Sequence, residues 1–195
     1  MKNEVIITSN SKNNSNKNKN KFNSAPIGVY YKENKEILIY IYSNSHTYDN
    51  LKENNYFIIN ITNNYNLAKY VIDDGKKEDY SYLNSIPYLK DSYKIQLVKI
   101  KNRKITNIND NIGENNIMII TGIIELEKII NNKPLEPYNR SEGLIVEMAV
   151  LYSRLNIVNN ETKIKIKNEM EHYYKTIKKV GNKKYIKLAE RLLNY

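Results

Sequence analysis

Three small hydroxyl side chains, Ser43, Ser45 and Thr47, alternate along Ser43-Asn44-Ser45-His46-Thr47-Tyr48-Asp49-Asn50-Leu51. Thr47 precedes a polar–apolar stretch, Tyr48–Asn54, long enough for about two helical turns, and its type suits an N-cap. The first N–H groups of a helix lack intrahelical acceptors, and the helix dipole there favours negative charge. Hydroxyl donors just ahead of such an end suit a phosphate dianion, with no lysine required. Ordinary capping in a Ser/Thr-rich turn explains the same residues, and such turns are common. His46 lies inside this turn, where an imidazole donates to a phosphate, acts as an acid, or simply meets solvent.

A second polar cluster precedes the first in the chain. In Asn23-Ser24-Ala25-Pro26-Ile27-Gly28, small residues let the backbone approach a flat ligand closely, with main-chain groups available to heteroatoms on a ring edge. Pro26 fixes the chain and removes a donor, which a strand start or sheet edge also explains.

Short apolar segments must position these clusters. Val5–Thr8, Ile27–Tyr31, Ile37–Tyr42, Tyr56–Ile61, Tyr93–Ile100 and Ile117–Leu126 read as strands, being β-branched and aromatic. The run Ile37–Tyr42 is apolar on both faces, as in a closed barrel or between layers. Residues 10–20, almost wholly Asn, Lys and Ser, read as a low-complexity surface loop. Leu67–Ile72 reads as a short helix, and Gly75–Asp91 as irregular or weakly helical. Beyond Pro134 and Pro137 the period changes. Leu144, Ile145, Met148, Leu151, Tyr152 and Leu155 share one helical face; Ile166, Met170, Tyr173, Tyr174 and Ile177 repeat it, with Gly181 as a stop. Tyr185, Leu188, Ala189, Leu192 and Leu193 make a third amphipathic helix. The chain therefore divides into a β domain over 1–126, a linker over 127–138 and a helical subdomain over 139–195.

Composition limits the chemistry. The 195 residues contain no cysteine, which removes disulfides, thiolate metal sites and a cysteine nucleophile. With only two histidines, His46 and His172, a multi-histidine metal centre within one chain is not expected, and no metal is assigned. His172 sits among lysines and glutamates and reads as surface. The chain shows no signal-peptide core and no apolar run near the ~20 residues of a membrane span, so a cytoplasmic protein is expected. The net charge of +10 is spread from Lys2 to Lys187 and interleaved with glutamates. Uniform excess of Lys, Asn, Ile and Tyr reflects an AT-rich coding bias better than a nucleic-acid patch, which concentrates charge on one face.

The series Glu4–Thr8, Asn23–Val29, Tyr42–Leu51 and Phe57–Thr62 resembles the FMN-binding split β-barrel fold. More narrowly, it resembles an archaeal domain-of-unknown-function family of small FMN-binding proteins. The likeness extends to a helix that Asn139-Arg140 opens and Ser153-Arg154-Leu155 ends. It implies a mainly β (α+β) fold, an FMN-binding split β-barrel with a C-terminal helical subdomain. Asn23, Ser24, Ala25, Pro26 and Ile27 would then line the isoalloxazine, and Ser43, Ser45, Thr47 and Asn50, with His46 in the same turn, would hold the ribityl phosphate. Asn60 and Thr62 would touch the ribityl chain or the ring. The long Asn/Lys loop departs from the usual short connection, and Ser43-Asn44-Ser45 stands where a glycine-containing turn is expected.

Relatives in this superfamily, flavin reductases and pyridoxamine-phosphate oxidases, are homodimers with FMN at the subunit interface. A homodimeric flavin-dependent oxidoreductase follows, acting on a small molecule with a nicotinamide or other small electron donor. The cofactor performs such chemistry itself, so no catalytic residue is marked. A non-enzymatic flavin carrier or sensor, and a basic nucleic-acid-binding β-barrel, are the competing classes. Arg140, Glu147 and Arg154, seven apart along one helix line, either balance charge within that helix or reach across a dimer interface.

Overall fold

The computed structural model describes residues 2–11, 22–72, 79–110, 113–132 and 139–194. Most of the Asn/Lys segment, part of the stretch read as irregular and the two linker prolines lie outside these residues. The chain forms two compact units. One comprises Met1–Thr62 with Asp74–Lys133; the other comprises Asn63–Asp73 with Pro134–Tyr195.

In the first unit six strands close into an antiparallel barrel: β1 (Lys2–Asn10), β2 (Phe22–Tyr31), β3 (Glu36–Tyr42), β4 (Tyr56–Ile61), β7 (Lys94–Asp110) and β8 (Gly113–Ile129), ordered β1-β2-β3-β8-β7-β4. Alternation fixes what faces inward. Val5, Ile7, Val29, Ile37, Ile39, Ile41, Phe57, Ile59, Val98, Met118 and Ile120 form one buried cluster, each strand contributing every second residue. A short helix, α1 (His46–Glu53), follows β3, and its Leu51 and Tyr48 pack on that cluster.

Two seams of the barrel are short. β1 pairs with β2 along nine residues, yet β2 pairs with β3 only at Val29–Tyr31, and β1 with β4 only at Ile6–Thr8. β8 curves around the core with two register shifts against β7. At its crowded point a Cβ on Gly122 would lie 2.6 Å from Val98 Cγ1 and 3.0 Å from the Lys99 carbonyl oxygen. Gly122→Ala is expected to cost about 1–3 kcal/mol through overpacking. An unchanged urea midpoint would show that Val98 and the Lys99 carbonyl give way at this corner without cost.

The stretch read as irregular is instead a hairpin, β5 (Tyr80–Leu83) and β6 (Ile86–Leu89), joined by Asn84 and Ser85 at φ 49° and 64°. Two successive left-handed residues match the twist of a two-residue hairpin turn, and the short strands keep Pro87 buried without breaking a long ladder. Polar groups also close the barrel where β2 ends. Tyr31 donates to Gln96 Oε1 at 2.8 Å, and Gln96 Nε2 donates to Glu127, itself paired with Lys94 at 2.9 Å. Burial, then the Glu127 charge, push the Tyr31 phenol up to about 12, so it remains a neutral donor.

The second unit packs α2 (Asn64–Ile72), α3 (Arg140–Arg154), α4 (Asn160–Val180) and α5 (Lys183–Leu193) around Ala68, Ile145, Met148, Met170, Ile177, Leu188 and Leu192. Thus residues 63–73, which lie numerically within the barrel's stretch, cluster with the C-terminal helices. Asn139, Asn159 and Asn182 cap α3, α4 and α5, each side chain accepting from a first-turn N–H. Gly181 follows α4 as its C-cap. No helix of the described residues is long and apolar enough to cross a membrane.

Candidate functional site

The short β2–β3 seam creates an open strand edge. The Lys32 N–H donates to the Glu36 carbonyl at 2.9 Å across the β2–β3 turn, so even-numbered β2 residues direct their main chain toward β3. Pairing ends at Val29, and Pro26 and Ser24 keep that parity. Their main-chain groups face the side that β3 has left. A proline lacking an N–H is compatible with this position and with few others in a sheet. Asn23, Ala25 and Ile27 have the opposite parity and direct their side chains inward with Val29, and Ile27 packs against the core.

The end of β3 and the start of α1 border this edge. Ser45, not Thr47, is the N-cap: its Oγ accepts from the Tyr48 N–H at 3.1 Å and donates to the Tyr42 carbonyl at 3.0 Å. Thr47 lies within the first turn, 2% exposed, its Oγ1 accepting from Asn23 Nδ2 at 2.7 Å. The correction follows from geometry, since a cap residue needs extended φ/ψ, which Ser45 has and a residue already inside the helix cannot have. The N–H groups of His46 and Thr47 have no acceptor among the described residues. Asn44 takes φ 67°, the left-handed conformation expected of a glycine there, and asparagine tolerates it. The notch is therefore bounded by the β2 edge, by hydroxyls at the end of β3 and by two helix N–H groups with no acceptor among the described residues. Asp49, the acidic residue of the first turn, is exposed.

The remaining residues singled out in the sequence divide. Ser43 is half-buried and extends the β3–β8 ladder, its N–H donating to the Asn116 carbonyl at 2.8 Å. His46 is exposed as the first residue of α1. Asn50 is buried on the inner side of α1, its Nδ2 donating to Ser9 Oγ and to the Ser9 carbonyl at 3.1 and 3.3 Å, so its amide anchors α1 to β1. Asn60 is wholly buried outside the barrel, two strands or roughly 10 Å from Pro26. Its Nδ2 donates to the Ile6 carbonyl and Thr8 Oγ1; its Oδ1 accepts from the Leu89 N–H and Ser92 Oγ. Thr62 is half-buried just beyond β4. In the second unit Arg140, Glu147, Arg154 and His172 are exposed, the first three on α3 and His172 on α4.

Two residues that carry no mark in the sequence support the elements around the notch. Tyr80, 4% exposed on β5, donates its hydroxyl to Ser24 Oγ at 2.9 Å and packs against Phe22 with ring centroids 4.6 Å apart and the rings tilted by 59°. The hairpin thus buttresses the open edge of β2. Arg103 on β7 donates to the Leu51 and Asn54 carbonyls at 2.7 and 2.6 Å, neutralising the C-terminal end of α1, and burial lowers its pKa from the usual value.

The DUF447 N-terminal domain, a protein family of unknown function, matches residues 3–131, and the second DUF447 domain matches residues 139–194. The chain belongs to the DUF447 family. It is 42% identical over 197 residues to the uncharacterized protein MJ1453 of Methanocaldococcus jannaschii, covering 99% of this chain and 97% of that protein. Among solved structures it is similar to the FMN-bound DUF447 protein MM1853 from Methanosarcina mazei, with a TM-score of 0.79 and 18% identity over 99% of this chain and 94% of that one. A flavin reductase domain protein from Arthrobacter sp. FB24 superposes with a TM-score of 0.52 and 9% identity over 71% of this chain and 92% of that one. The fold is that of the FMN-binding split barrel with a helical C-terminal part.

Proposed function

We propose that this chain binds FMN in the notch between β2 and α1, as a homodimeric flavin-dependent oxidoreductase acting on a small molecule. The observation carrying the reading is one juxtaposition: the β2 main chain that β3 leaves unpaired at Ser24 and Pro26, beside the N–H groups of His46 and Thr47, which have no acceptor among the described residues. A flat ring with heteroatoms on its rim needs the first, and a phosphate needs the second. The donor set fits this cofactor without a lysine or arginine. The FMN-bound structure of the DUF447 relative supports FMN as the ligand.

Ser45 and Thr47, with the first-turn N–H groups, would hold the phosphate, and the Asn23–Ile27 main chain would line the ring. FMN supplies hydride or electron transfer when bound. The protein contributes orientation and a rigid edge: Tyr80 fixes Ser24, Asn23 ties β2 to α1, and Arg103 holds the far end of the helix. Homodimerisation with the cofactor at the subunit interface, and reduction by a nicotinamide, belong to the same proposal and rest on the sequence resemblance to the flavin reductase and pyridoxamine-phosphate oxidase superfamily.

Purified protein is expected to be yellow and to release FMN on denaturation. Colourless protein that takes up no added FMN would sink the reading. Anaerobic mixing of the flavin-loaded protein with NADH or NADPH tests the reaction: rapid bleaching of the flavin band is expected, and inert flavin would point to a carrier or sensor instead.

A further inference from the structure

The lysines of this chain are not evenly used. On the barrel, Lys94, Lys99 and Lys101 each meet a glutamate at 2.9–3.5 Å, and on α4 Lys165 pairs with Glu161 one turn away. Lys175, Lys178, Lys179, Lys183, Lys184 and Lys187 differ. Six fall within thirteen residues, and the nearest carboxylates along the chain are Glu171 and Glu190. All six are exposed, and none has a carboxylate within ion-pair distance among the described residues.

Folding concentrates them further. The turn at Gly181–Asn182 joins α4 to α5, and Tyr174 donates to Glu190 Oε1 at 3.0 Å across the pair, locking the helices antiparallel about that turn. Every one of the six lies within about two turns of the tip. On α4, Lys175, Lys178 and Lys179 are spaced i, i+3 and i+4, and Lys183 and Lys187 repeat that spacing on α5. Lys178 and Lys179 sit in the last turn of α4, where cations suit the dipole. Lys183 and Lys184 open α5, whose first turn has no acidic residue, and there cations oppose the dipole. Helix stability accounts for two of the six, Lys178 and Lys179, and works against two others, Lys183 and Lys184. Lys184 Nζ is held over the Tyr65 and Tyr185 rings at 5.2 and 5.3 Å, which fixes one charge in place.

We propose that this helix-hairpin tip is an electrostatic docking surface for the phosphate backbone of double-stranded nucleic acid. Compact point charges without an arginine fork suit backbone contact rather than base reading. The tip has no apolar anchor, and the exposed isoleucines of this unit, Ile157 and Ile164, lie at or before the other end of α4. A lipid surface or an acidic protein partner would need one. This inference is independent of the flavin reading.

The experiment measures fluorescence anisotropy of a labelled duplex of about 20 base pairs with the full chain, at roughly 50 and 200 mM salt. If about four lysines each displace a counterion, affinity falls ~100-fold between the two salt concentrations. Neutralising the tip by Lys178→Gln, Lys179→Gln, Lys183→Gln and Lys187→Gln is expected to weaken low-salt binding at least ~10-fold and flatten the salt response. Lys99→Gln with Lys101→Gln, on the barrel, is expected to leave binding unchanged. Absence of duplex binding at low salt, equal loss in both variants, or full binding by the tip variant each overturns the proposal. So does tip-dependent capture by phosphatidylserine–phosphatidylcholine vesicles without duplex binding.

Discussion

Replacing Ser45 and Thr47 together by alanine is expected to weaken FMN binding about 100-fold and riboflavin binding only slightly, because two charge-assisted contacts of about 1.5 kcal/mol each are lost from the phosphate alone. The comparison between the two flavins is essential because both residues also serve the fold. Ser45 caps α1, and removing a cap costs about 1 kcal/mol. Thr47 Oγ1 receives Asn23 Nδ2, so its loss also frees β2 from the helix. Fraying of α1 would loosen the ring and the phosphate subsites alike, and both flavins would suffer. Titration by flavin fluorescence quenching, with each ligand in turn, separates the cases. Parallel weakening of FMN and riboflavin would remove the phosphate from this helix.

How far the sequence foretold this arrangement depends on whether the signal was local. Six barrel strands were legible because alternation and continuous apolar runs are local properties, and α3, α4 and α5 because their apolar residues recur at helical spacing. Asn139 to Leu155 reads almost residue for residue as the capped helix that forms. The boundaries of β7 and β8 were not legible. Both continue well past the core as a paired two-stranded ribbon whose sequence is rich in Asn and Lys and lacks the apolar alternation that marks a strand. The β5–β6 hairpin was hidden for a related reason. Its strands are four residues each, one contains Pro87, and its turn uses Ser85 at positive φ, where sequence rules look for glycine.

At the site the residue types were legible and their duties were not. Three hydroxyls in alternation offer three possible caps, and only the backbone angles select Ser45. The open edge at Ser24 and Pro26 comes from where β3 turns toward β8, which no property of residues 23–28 encodes. Tyr80, one of 18 tyrosines, reaches Ser24 across 56 positions, so proximity in the chain gave no hint of it.

Asn60 provides the sharpest test of how site and scaffold divide. Its side chain is wholly buried and makes four hydrogen bonds, to the Ile6 carbonyl, Thr8 Oγ1, the Leu89 N–H and Ser92 Oγ. It thereby joins β1, β4 and the end of the β5–β6 hairpin, and Thr8 Oγ1 adds a further bond to the Pro87 carbonyl. Asn60→Leu keeps the volume and strands these partners in an apolar setting, at a cost of about 3 kcal/mol, since each buried group left unpaired costs roughly 1–3 kcal/mol. For a chain of this size the melting midpoint should fall by roughly 10 °C. Hydrogen exchange should accelerate first at Tyr80–Leu89, because the hairpin loses its anchor while the barrel core remains packed. FMN affinity, measured well below the new midpoint, should drop only modestly, through loosened Tyr80 support of Ser24. A variant with unchanged thermal stability and strongly weakened FMN would reverse the assignment, placing Asn60 at the ligand and leaving the hairpin held by Thr8 and Tyr80.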